Sequence, residues 1–214
     1  MKKFLLPIVF AGILMMTLCF CGCSDSAVKA VAPTGTYIGQ DNDGVDEFLG
    51  IRYGNMDPFK AATDVTTTSE DEIEATSFGA NCIQPYDGEY FIRNLPEGED
   101  CVLVTINYRM SIMSGVDMSV LEGYTDEYAD AINLSKKDQT QALKWIQENI
   151  SAFGGDPDNV TIMGQSAGGG AVEMLMADPD TNKYFNRAII NSGTQSREAV
   201  SKETVKKNSK IIFD

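Results

Sequence analysis

The chain has 214 residues, enough for one ordinary domain, and carries 17 Lys and Arg against 31 Asp and Glu for a formal net charge of -14. That balance argues against nucleic acid and other polyanionic partners, because phosphates would be repelled, and reads first as a solubility device with mild attraction for cations. There is no histidine at all, so these residues cannot by themselves complete a Ser-His-acid triad.

Residues 1–22 read as an export signal. Lys2 and Lys3 form the positive start, Phe4 to Leu18 the apolar core, and the small Gly22 precedes Cys23. Pro7 interrupts the apolar run, which is short for a membrane-spanning helix. Phe20-Cys21-Gly22-Cys23-Ser24 resembles a bacterial lipoprotein signal, with Phe20 in place of the usual Leu. That resemblance implies lipidation of Cys23 and an exported chain anchored to the cell envelope, an ordinary secreted protein being the alternative. Residues 23–34 are small and polar and read as a tether, which leaves 35–214 for the folded domain.

Gly35 to Gly39, the turn residues Asp41-Asn42-Asp43-Gly44, and Val45 to Leu49 predict a β-hairpin. Its end, Phe48-Leu49-Gly50-Ile51-Arg52-Tyr53, resembles the start of the type B carboxylesterases, the α/β-hydrolase family of cholinesterases and bacterial para-nitrobenzyl esterases. Thr66 to Glu72 is polar and reads as a solvated surface segment. Ala75 to Gln84, ending Cys82-Ile83-Gln84, is similar to the family's next landmark. Family members then have two further strands and a His-Gly-Gly-Gly-type loop that supplies most of the oxyanion hole. This chain passes directly to Pro85-Tyr86-Asp87-Gly88, so the resemblance implies an internal gap after Gln84. It also implies that the usual disulfide partner of Cys82 falls in that gap, leaving Cys82 unpaired unless Cys101 substitutes.

Cys101 to Asn107, Cys-Val-Leu-Val-Thr-Ile-Asn, predicts a buried parallel strand by its β-branched apolar run. Asn107-Tyr108-Arg109 resembles the family's Asn-Tyr-Arg, with Ser111 standing where Gly is common. Met113 to Asp130 is acidic and loop-like, the kind of segment that lines clefts. In Asp138 to Ile150, Ala142, Leu143, Trp145, Ile146 and Ile150 recur at helical intervals, and Phe153-Gly154-Gly155-Asp156-Pro157 stops the helix. Trp145 reads as core and Asp138 as a structural carboxylate.

The chain then reaches its chemistry. Val160 to Met163 is strand-forming and runs into Gly164-Gln165-Ser166-Ala167-Gly168, which fits the Gly-x-Ser-x-Gly nucleophile elbow. A serine on a tight strand-to-helix turn projects its hydroxyl outward, and Gly164 and Gly168 leave room for the backbones to approach. The helix that follows aims free N–H groups, Ala167 first, at a developing oxyanion. Gln165 departs from the Glu common before the family's serine. Phe185 to Gly193 predicts the next strand, with Ser192 and Gly193 at its carboxyl end near Ser166 as wall residues. Ser196 to Asp214 is charged and helix-compatible, and no repeat, metal-ligand cluster, cofactor motif or phosphate loop is evident.

The expectation is therefore an α/β-hydrolase fold, a mostly parallel sheet flanked by helices and incomplete at its C-terminal side. Ser166 is the expected nucleophile for a small carboxylic ester, and no residue after it is a histidine. The simplest account is the N-terminal piece of a longer esterase. A non-catalytic cholinesterase-like binding module is the alternative, and another serine acyltransferase or thioesterase a more distant one.

Overall fold

The computed structural model describes residues 27–79, 92–95, 100–110, 114–193 and 200–214. The expected signal and Cys23 lie outside the described residues, as does Cys82.

The N-terminal sheet forms around β2 (Gly35–Asn42). On one side β1 (Ala27–Ala32) pairs with it antiparallel, from Ala27 opposite Gln40 to Ala32 opposite Gly35. On the other, β3 (Val45–Glu47) pairs antiparallel and β4 (Glu72–Glu74) parallel. The predicted hairpin is present: Asp43 and Gly44 both adopt left-handed φ, 50° and 83°, and the Asp41 carboxylate accepts the Gly44 N–H at 2.7 Å. That pair of positive φ values matches the right-handed twist of the strands it joins.

One expectation is overturned. The tether does not extend over 27–32, because Ala-Val-Lys-Ala-Val-Ala alternates: Ala30 and Ala32 turn inward and are buried while Lys29 and Val31 stay exposed. The solvated segment expected at 66–72 is exposed throughout, and its last residue, Glu72, opens β4.

Packed on this sheet is α1 (Leu134–Asn149), which begins four residues before the predicted start because the 3-10 stretch Asp126–Asn133 feeds directly into it. Its buried face carries Leu134, Asp138, Ala142, Leu143, Trp145, Ile146 and Asn149. The helix tightens into the 3-10 turn Ile150–Phe153 and ends at Gly154, whose φ of 82° lets its N–H reach the Ser151 carbonyl. Phe153 then fills the space between Tyr37, Phe48 and Trp145, with ring centroids 5.6, 4.9 and 5.8 Å away. A polar clip joins the layers: Thr34 Oγ1 donates to Asn149 Oδ1 at 2.8 Å and accepts from Trp145 Nε1 at 3.2 Å.

The second sheet is the parallel pair β5 (Thr161–Gln165) and β6 (Arg187–Asn191), in register from Thr161 opposite Arg187 to Gln165 opposite Asn191. The crossover is α2 (Ala167–Ala177), which buries Val172 and Leu175; Leu175 belongs to the same core cluster as Trp145 and Tyr37. The opposite face of this pair is uncovered among the described residues, with Met163 and its register partner Ile189 about half exposed. The last element is α3 (Lys202–Phe213), pinned by buried Ser209, whose Oγ accepts the Asp117 N–H at 2.8 Å.

The predicted strand at Cys101 to Asn107 is also overturned. Residues 101–107 carry no ladder pairing and are largely exposed, Val102 by 42% and Val104 by 40%. A buried parallel strand needs partners on its edges, and none is present among the described residues. Cys101 itself is a free, exposed thiol.

Beside this segment Arg109 is held firmly. Its Nε and Nη2 donate to the two oxygens of fully buried Asp138 at 2.8 and 2.5 Å, and its own backbone N–H also reaches Asp138. Tyr53 lies in the same cluster and donates to the Asn107 carbonyl at 2.6 Å. Burial first, and then the Asp138 charge, push the Tyr53 phenol well above its ordinary range against the opposing pull of Arg109. Asp138 is thus the structural carboxylate expected of it, and Trp145 is core.

Candidate active site

Strand β5 stops at Gln165 and α2 starts at Ala167, so the reversal falls on Ser166 alone. Its backbone sits at φ 54° and ψ -115°, a conformation that L-residues rarely adopt and that costs on the order of 1–3 kcal/mol. Two hydrogen bonds hold it there. Ser166 N–H donates to the Asn191 carbonyl at 2.9 Å, tying the turn to the end of β6, and Gly170 N–H donates to the Ser166 carbonyl at 3.1 Å, starting the helix. Ser192, the residue after β6, is also left-handed at φ 53°, so both strands end in a strained serine on the same side of the sheet.

Glycine is needed here for close approach, though not wholly where the motif suggests. A Cβ on Gly164 would run into the carbonyl of Gly168, so the strand and the first helical turn touch backbone to backbone. A Cβ on Gly168 would meet nothing within 4 Å. The tight position in the helix is Gly169, where a Cβ would lie 2.8 Å from the Gly193 Cα and 3.2 Å from the Asn191 carbonyl. The motif's second glycine is thus less demanding than the middle residue of the Gly168-Gly169-Gly170 run. The spacing of Gly169, three residues beyond Ser166 on the face toward β6, is the signal that could have found it.

Ser166 and Ala167 are exposed. The Ala167 N–H opens α2 and has no hydrogen-bond acceptor among the described residues, so it remains available to an anion at the positive end of the helix. Ser192 and Gly193 do border the elbow, as expected from the strand order. Glu173 carries no signal in the sequence: a Cβ on Gly193 would come within 2.7 Å of its Oε1, which places that carboxylate beside the end of β6. A cavity of about 1680 Å³ lies elsewhere, between the Val45–Phe48 region and residues 100–107 over Trp145 and Phe153. Neither Ser166 nor Ala167 lines it.

A strand, a strained serine and a helix, followed by a parallel return strand, define an α/β-hydrolase. The sequence pattern of the carboxylesterase family matches residues 84–212, and the chain belongs to that family. A para-nitrobenzyl esterase of Bacillus subtilis is 43% identical over 115 residues, 54% of this chain and 22% of that protein. Carboxylesterase 1C of Mus musculus is 35% identical over 153 residues, 70% of this chain and 26% of its own length. The crystal structure of a carboxylesterase from Geobacillus stearothermophilus superposes with a TM-score of 0.66 at 30% identity, covering 75% of this chain and 42% of that one. The chain thus spans about a quarter of the curated relatives' length and less than half of the solved structure.

Proposed function

We propose that the chain carries the nucleophile end of a carboxylic ester hydrolysis site, with Ser166 attacking the ester carbonyl and the Ala167 N–H holding the oxyanion. The observation that carries this reading is the backbone of Ser166, strained at φ 54° between β5 and α2 with its residue exposed. In the reaction the Ser166 oxygen bonds to the acyl carbon, its proton passes to a base, the alcohol leaves, and water releases the acid. Neither that base nor a second oxyanion loop is available in these residues: histidine is absent from the sequence and the His-Gly-Gly-Gly-type stretch has no counterpart after Gln84.

The rate of the 214-residue chain should therefore be low, at or below the ~10³ to 10⁴ over water that survives loss of a triad member. With para-nitrophenyl butyrate, a small turnover is expected that Ser166→Ala removes. Turnover unchanged by that substitution would place the chemistry elsewhere. A non-catalytic binding module is the second reading, favoured by the missing histidine. It would be preferred if the complete coding sequence supplies no acid and histidine in strand-to-loop contexts after the elbow.

For the N-terminus we propose export and lipidation at Cys23, on the strength of Gly22-Cys23 behind a charged and apolar leader. Intact-mass analysis of the protein from its native envelope should find a mature chain beginning at Cys23 with added lipid mass. An unmodified Cys23 would refute it.

A further inference from the structure

The cavity over Trp145 and Phe153 is walled on both sides by backbone short of partners. One wall includes β3, which pairs with β2 alone among the described strands. The other runs from Asp100 to Asn107, every residue of which lines the space. From Val102 to Ile106 no backbone N–H or carbonyl is hydrogen-bonded among the described residues. Unpaired edges of this kind are templates for pairing with another chain. At about 1680 Å³ the space exceeds the roughly 300–1,000 Å³ of small-molecule pockets, so a length of chain fits it better than a metabolite.

The lining also states the chemistry of the occupant. Trp145, Ile146, Ile150 and Phe153 give it an apolar floor, and Val102 and Val104 are exposed on the wall. Among the lining residues Asp46, Glu47, Asp57 and Asp100 face only Lys29 and Arg52, and Lys29 is already held by Glu72 at 3.0 Å. That excess of negative charge complements Lys or Arg on a guest. A hydrocarbon would cover the floor but leave the wall's N–H and carbonyl groups unanswered. An extended peptide answers both, with its backbone on the edge and alternate side chains on the floor.

We propose that this cleft receives an extended apolar strand from another protein chain, flanked by Lys or Arg, which pairs with the backbone of residues 101–107 over Trp145 and Phe153. The site is independent of Ser166 and of ester hydrolysis. Titrating the end-capped peptide Lys-Val-Thr-Val-Thr-Val-Lys into the full chain tests it, because Trp145 is the sole tryptophan and reports from the cleft floor. A saturable change in its emission is expected, together with slower alkylation of the exposed Cys101 thiol, read by peptide mapping. The same peptide N-methylated at its five central residues keeps every side chain but loses those donors, and should bind at least about tenfold more weakly. Exchanging its two Lys for Glu should weaken binding about fivefold at low ionic strength. On the protein, neighbouring amides of an extended segment point to opposite edges, so one of Val104→Pro and Thr105→Pro should weaken binding about tenfold and the other less. Should either fail to fold, the N-methylated peptide decides the matter. The proposal is overturned by an emission change that does not saturate, by equal affinity for the N-methylated peptide, or by affinity that both proline variants leave unchanged.

Discussion

Gly164→Ala is expected to break the elbow while Gly168→Ala, four residues on in the same motif, is tolerated. The added methyl at 164 meets the Gly168 carbonyl, and backbone cannot swing aside as a flexible side chain would. Overpacking of this kind costs about 1–3 kcal/mol in stability. The larger effect falls on Ser166, because pushing the helix start away from β5 displaces both its oxygen and the Ala167 N–H. A misplacement of about 1 Å can lower a rate about 100-fold. At 168 the methyl enters open space within a helical first turn, where alanine is preferred to glycine by roughly 0.5–1 kcal/mol, so stability should hold or rise. Urea unfolding of the two variants, with circular dichroism to report the fold, checks both. Equal midpoints would mean that the strand and helix do not touch at Gly164.

Arg109→Met should produce the second large effect. Asp138 is fully buried, Arg109 is 17% exposed, and the guanidinium occupies both carboxylate oxygens. Removing the cation leaves a buried carboxylate without its counter-charge, which costs about 3–5 kcal/mol. The same pair anchors residue 109 to α1 and holds the Arg109 Nη1 bond to the Asp57 carbonyl at 2.9 Å, so the loss also loosens the loop before β4. The double variant Arg109→Met with Asp138→Leu should recover much of the deficit, because a well-packed apolar pair needs no desolvated charge. A single variant no less stable than the parent would show that the pair contributes nothing.

What the residues announced in advance was local. The Asp-Asn-Asp-Gly turn needs positive φ at two positions and states its own geometry, and α1 shows its buried face through Leu143, Trp145 and Ile146. The elbow was legible because a tight strand-to-helix turn leaves glycines at fixed spacing, and β6 because an apolar run follows α2 at crossover distance. What failed depended on neighbours. Residues 101–107 have strand composition but no edge to pair with among the described residues, and composition carries no information about a missing partner. Ala27–Ala32 does not announce a strand because alanine is a weak strand former; its inward placement follows from β2 lying alongside. The distinction between Gly168 and Gly169 needed the position of Gly193, which only the packed sheet supplies. The Arg109 bond to Asp138 joins residues 29 apart and leaves no periodic trace.

The central claim is that the elbow makes Ser166 unlike every other serine in the chain. A fluorophosphonate reacts with a serine oxygen and places negative charge where an ester's oxyanion would lie, so it reports nucleophile and Ala167 N–H together. Without a histidine, labelling should be slow in absolute terms. Peptide mapping after long exposure should nevertheless find the adduct concentrated on Ser166, well ahead of Ser192 and the exposed serines, and absent from Ser166→Ala. An adduct spread evenly over the serines, or favouring Ser192, would contradict the account.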